Sequence, residues 1–153
     1  MLKRLAQTDD SIGMFIVRLA LGIVIFPHGA QKLLGWFGGH GFAGAMKFLS
    51  GDLGLPAVIA LLVIIAEFFG AIALIIGFLG RLGALGVLSV MLGAIFTIHY
   101  KLGFFMNWYG DKQGEGFEYH LLAIGMALAV LIQGSGAFSI DRSLSDRTTP
   151  IRY

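Results

Sequence analysis

Three observations predict an all-α integral membrane protein, an antiparallel up-down bundle of four helices with a short interfacial helix between its first two spans. Hydrophobic residues make up 57% of the 153-residue chain and charged residues only 13%, about half the roughly 25% of a soluble domain. Mean hydropathy is +0.83. The apolar residues fall into four runs, and a spanning helix takes about 20 residues, so four spans nearly exhaust a single transmembrane domain covering residues 1–153.

The first run, residues 12–34, follows Lys3 and Arg4. It is about twice the length of a signal peptide's apolar segment, and no small-residue cleavage pattern follows, so it is read as a retained span. The glycine-rich connection that follows contains Phe42, Met46, Phe48 and Leu49 beside Lys47, the composition of a short interfacial helix that could act as a lid. The second run, 56–79, begins at Pro56, whose missing N–H costs nothing in a first turn. Gly80 and Arg81 then leave room only for a tight turn into the third run, 82–104. The fourth, 119–138, is the least clearly bounded, and residues 141–153 read as a polar, frayed tail.

Basic residues orient the chain. Lys3, Arg4, Arg81, Arg142, Arg147 and Arg152 lie on one side, and the opposite loops carry Lys47 and Lys112, so both termini are expected in the cytoplasm. The scattered cations make no phosphate-binding patch, which argues against a nucleic-acid partner and for the lipid bilayer. Without cysteine, thiol relays, iron–sulfur clusters and thioether-linked haem are excluded.

Ionisable groups inside the spans are the functional candidates, because each is costly in lipid. At about 100° per residue, Arg18, His28, Gln31 and Lys32 share one face of the first helix. Glu67 lies roughly 16 Å into the second span at 1.5 Å per residue. An Arg18–Glu67 ion pair is therefore expected, with either a structural or a proton-handling role. His99 on the third span reaches a depth similar to that of His28. That geometry could support a metal or a bis-histidine haem, but two matched histidines without a ligand-spacing motif are weak grounds for either. Glu118 and His120 lie about 200° apart on the fourth helix and cannot face one pocket. Glu118 alone joins the candidates, alongside a plainer role as a first-turn carboxylate. Lys32 could equally snorkel to the interface, and His28 could be structural.

The residues Arg18-Leu-Ala-Leu-Gly22, Phe26-Pro-His28-Gly29 and Gln31-Lys32-Leu-Leu-Gly35 resemble the first-helix signature of the DoxX family. Glu67-Phe-Phe-Gly70 leading to Gly77, Gly80 and Arg81 fits it too, as does a last helix introduced by Glu118 and ending in Gly134-Ser-Gly136 with Ser139 and Asp141. The resemblance covers residues 12–141 and implies a small prokaryotic inner-membrane protein of four helices. Some members of that family are membrane subunits of quinone-linked oxidoreductases acting on thiosulfate, and others accompany thiol and oxidative-stress systems. Arg18, His28, Lys32, Glu67 and Glu118 match the family's polar positions.

The leading functional reading is a redox subunit that binds a quinone. In it Glu67, His28 and Glu118 handle protons, and Lys32, Gln31, His99 and Arg18 hold the ligand. Phe26, Trp36, Phe37 and Phe96 are candidates to bracket the ring. A second redox subunit or a soluble redox protein would be its partner. Two alternatives stand beside it: a small-molecule transporter or binder, which with so few helices would call for a homo-oligomer, and a membrane assembly partner of a soluble thiol or oxidative-stress protein.

Overall fold

The computed structural model describes residues 6–146, which form helices, turns and loops with no strand. Of the basic residues used to orient the chain, Lys3, Arg4, Arg147 and Arg152 lie outside the described residues, as does the tail from 147 on. Helix α1 (Ile12–Leu33) begins at Ser11, whose hydroxyl accepts the Met14 N–H at 3.2 Å and satisfies one of the free donors of a helix start. It continues unbroken through Pro27. A short α2 (Gly41–Met46) passes directly into a π-helical segment, Lys47–Asp52. Helix α3 (Ala57–Ile76) is preceded by Pro56 and closes on Gly77, whose left-handed φ of 69° suits glycine.

Helix α4 (Gly80–Thr97) ends short of residue 104. A 3-10 turn, His99–Leu102, takes over, and Gly103 at φ 89° leads into a compact loop. Helix α5 (Glu118–Gln133) is followed by a turn through Gly134 and Gly136, and then by α6 (Ile140–Asp146). The start of the expected frayed tail is therefore ordered helix, because Asp141 is drawn into the interior, where it is 1% exposed.

Helices α1, α3 and α4 are long and apolar enough to cross a membrane, and α5 is a shorter apolar helix. Helix α1 packs on α3 and α5, and α4 packs on the same two. Leu21, Ile25, Leu74, Val87 and Val130 are buried where they meet. Apolar side chains such as Ile23, Leu62, Leu85 and Leu122 face outward, as lipid allows.

Glycines set the register of α1 against α3. A Cβ on Gly22 would stand 3.0 Å from the Ala71 carbonyl oxygen and the Ile75 nitrogen, and one on Gly29 would stand 2.5 Å from the Phe68 backbone. The two helices thus run antiparallel in near backbone contact, the close approach that small residues permit within lipid. This register places Arg18 beside the C-terminal turn of α3 and Lys32 beside Glu67.

Candidate functional site

The predicted Arg18–Glu67 ion pair does not form. The Arg18 guanidinium lies at the level of Leu74 and Ile75, seven and eight residues beyond Glu67, a displacement of about 10–12 Å along the helix. There it donates to the carbonyls of Leu74 and Ile75, and also to those of Ser135, Ala137 and Phe138. Arg18 is fully buried. The last carbonyls of a helix lack intrahelical donors and carry partial negative charge, so they compete well for a cation.

Asp141 completes the same end of the molecule. Its two carboxylate oxygens accept the N–H groups of Leu79 and Gly80 at 2.8 and 2.9 Å, and Ser135 Oγ donates to it at 2.5 Å. Arg18 thus caps the end of α3, and Asp141 caps the beginning of α4. We call this the turn end.

Toward the opposite end, which carries residues 98–117 and is called the loop end here, the polar groups are arranged differently. Lys32 Nζ stands 2.5 Å from Glu67 Oε2, with side-chain exposures of 27% and 6%. The contact is an ion pair without hydrogen-bond alignment, and Glu67 Oε2 has no other partner among the described residues. The Glu67 charge also acts on His28 and Tyr119. The His28 and Tyr119 rings are 6.4 Å apart, Tyr119 and His120 are 5.5 Å apart, and His120 and His99 are 4.1 Å apart. Tyr119 Oη and His120 Nδ1 are buried without a hydrogen-bond partner among the described residues, a rare condition for buried polar atoms.

The structure therefore brings together Lys32, Glu67, His28 and His99 from the predicted set. Gln31 sits beside this group and donates to the Phe37 carbonyl at 3.1 Å. Glu118 stands apart: its Oε1 accepts the Met106 N–H and the Trp108 indole N–H, both at 2.8 Å, and ties down the outer loop. Glu115 does similar work, accepting the Asn107 N–H at 2.6 Å.

Sequence reasoning missed Tyr119 and His120. The signal was available: His120 follows Glu118 by two positions, so a surface-facing Glu118 turns His120 inward, where it is 6% exposed. Among the described residues no group of three or more histidine, aspartate or glutamate side chains could hold a metal ion.

A cavity of about 830 Å³ adjoins the ion pair. Small residues of α3 and α4, including Ala66, Gly70, Gly83 and Gly86, form its floor, and Phe48, Leu49, Leu53 and Leu55 close its loop end. It extends from Leu82 to Ile98, about 24 Å of helix at 1.5 Å per residue. Lys32 and Glu67 are the charged residues that line it. A second cavity, about 290 Å³, lies beneath the glycine-rich connection and shares Lys32, Phe48 and Leu49 with the first.

These features define a small polytopic membrane protein in which the Lys32–Glu67 ion pair lines a long apolar groove. Residues 13–100 match the DoxX family, and the chain belongs to it. It is 30% identical over 138 residues to "Inner membrane protein YqjF" of Escherichia coli (strain K12), covering 90% of this chain and 96% of that protein. It is 28% identical over 130 residues to "Putative oxidoreductase CatD" of Bacillus subtilis (strain 168), covering 85% of each. No solved structure matches it.

Proposed function

We propose that this protein is an inner-membrane redox subunit that binds an isoprenoid quinone in the α3–α4 groove, with the headgroup at the Lys32–Glu67 pair. The groove carries the reading: it is long and apolar, and it holds one ionic centre. That is the complement of a lipid-soluble molecule with a polar head and a hydrocarbon tail. The names of the E. coli and B. subtilis relatives support the location and the redox class.

A bound quinone would supply two-electron chemistry accompanied by two protons. Lys32 is placed to donate to a carbonyl oxygen, and Glu67 to exchange a proton within hydrogen-bond reach. Having no cysteine, the chain offers no thiol relay, and the electrons come from a second subunit or a soluble redox partner. In this reading α5 joins the three longer helices in crossing the membrane up and down, with both termini in the cytoplasm. Its 16 residues span about 24 Å against a hydrocarbon core of about 30 Å, a mismatch met by local thinning or by flanking residues.

Gentle detergent purification, solvent extraction and chromatography of the extract test the proposal. Quinone stoichiometric with the wild-type protein is expected, together with its loss from a Gly93→Phe variant. A Cβ at Gly93 meets open space, so the added ring fills the groove without disturbing the packing. A wild-type extract without quinone, or a variant that retains it, overturns the reading.

A further inference from the structure

The loop end of the molecule holds a row of proton-carrying side chains that quinone binding alone does not call for. We propose that Tyr119, His120 and His99, with His28 beside them, form a proton relay connecting the Lys32–Glu67 pair to the aqueous side bathed by residues 98–117. The proposal deepens the preceding reading, since it rests on that pair as the chemical centre, and it assigns roles to Tyr119 and His120.

Geometry supports it first. The rings follow one another at 6.4, 5.5 and 4.1 Å from His28 through Tyr119 and His120 to His99, and the Glu67 charge reaches the inner members, His28 and Tyr119. Two polar atoms of the row, Tyr119 Oη and His120 Nδ1, are buried and lack a protein partner among the described residues. Buried groups of that kind are where ordered water is held. At the outer end, His99 Nδ1 lies 2.8 Å from the Glu115 carbonyl oxygen. A carbonyl only accepts, so Nδ1 carries the hydrogen, leaving Nε2 of neutral His99 as the acceptor for an incoming proton.

The transfer is balanced without a co-reactant. Each group takes a proton on one side and gives one up from the other, and the row returns to its starting state after rotation of the Tyr119 hydroxyl and exchange of the histidine tautomers. Lys32 from α1 pairs with Glu67, His28 from α1 and Tyr119 from α5 lie within the reach of its charge, and no charged residue of α4 or of the 47–55 segment lines the groove.

The other direction is closed. Between Glu67 and Arg18 lie Leu21, Ile25, Ala71 and Leu74, each no more than 1% exposed. Beyond them stands a guanidinium already committed to five carbonyls. A proton taken up at Glu67 therefore comes from the loop side.

Labelling with dicyclohexylcarbodiimide, which adds to the protonated form of a carboxyl in an apolar setting, tests this without any quinone. The full chain is placed in right-side-out and inverted membrane vesicles with the pH set separately on each side, and the Glu67 adduct is measured by peptide mass. Since the chain has no cysteine, an Asp111→Cys marker and an impermeant thiol reagent show which compartment bathes the loop. Labelling of Glu67 is expected to rise on acidifying the loop side and to ignore the opposite side. His120→Phe should abolish that response. His99→Gln, which keeps a donor for the Glu115 carbonyl and so protects folding, should weaken it severalfold.

Labelling that follows the opposite side, variants that respond like wild type, or a Glu67 that never labels would each overturn the relay. Quinone content is read by extraction, so the failure of either proposal can be told from that of the other.

Discussion

The two ends of this molecule each bury charge, and they do so in opposite ways. At the turn end, Arg18 and Asp141 are matched to backbone groups that need them: five carbonyls for the guanidinium, and two N–H groups with a hydroxyl for the carboxylate. Toward the loop end, the ion-pair partner of Glu67 among the described residues is Lys32, while Tyr119 Oη and His120 Nδ1 have no protein partner among those residues. A fully satisfied charge is a structural fastener, because any change of partner costs free energy. An incompletely satisfied one retains capacity for a ligand, a water or a proton. Burial alone would have classed both ends together.

The sharpest way to break this contrast is Arg18→Met, which fills similar space but donates nothing. Each buried acceptor left unpaired costs about 1–3 kcal/mol, so losing five donors consumes most of a typical stability margin of about 5–15 kcal/mol. Fluorescence-detected size exclusion in mild detergent should show little monodisperse protein. A well-folded Arg18→Met variant would mean that the turn end is no fastener.

Asp141→Ala comes next, with an expected loss of about 2 kcal/mol from the start of α4, seen as a lower thermal unfolding midpoint in detergent. Glu67→Gln should be milder. Removing one partner of a buried pair costs about 3–5 kcal/mol, but Lys32 keeps partial exposure and the amide preserves the shape, so about 1 kcal/mol or less is expected while bound quinone falls sharply. Equal stability losses from Asp141→Ala and Glu67→Gln would erase the distinction between the ends. The smallest effect on stability belongs to Glu118→Gln. The amide oxygen still accepts the Trp108 indole N–H, so only the charge-assisted part of that bond is weakened, a loss of about 0.5 kcal/mol, which should appear as a shift in tryptophan emission with quinone content unchanged.

Much of this was legible in the sequence. Run length and composition located the three long apolar helices, and the cost of charge in lipid singled out Arg18, Lys32 and Glu67. What failed was their pairing. Depth was counted from the ends of apolar runs, and those ends are soft by several residues, as the stop of α4 at Thr97 shows. Register is set by contacts that a single chain does not display, here Gly22 against Ala71 and Ile75, and Gly29 against Phe68. A shift of two helical turns exchanged the partner of Glu67 from Arg18 to Lys32.

Asp141 was named in the family resemblance, but its capping role was hidden for a different reason. It follows the last apolar run in a polar stretch that reads as solvent-facing, and only the approach of the α3–α4 turn gives it donors to accept. His120 was set aside because Glu118 drew attention to the other face of the same helix.

The origin of the groups that fasten the turn end bears on how the chain assembles. The hairpin of α3 and α4 is complete in sequence by Thr97, yet Ser135 stands 117 residues from the Arg18 that it meets, and Asp141 stands 61 from the Gly80 that it caps. A nascent chain stopped before residue 134 would leave the Leu79 and Gly80 amides unserved and Arg18 with two of its five carbonyls. The C-terminal segment therefore acts as the closing clasp, and the helices emerge in one order and become locked in another.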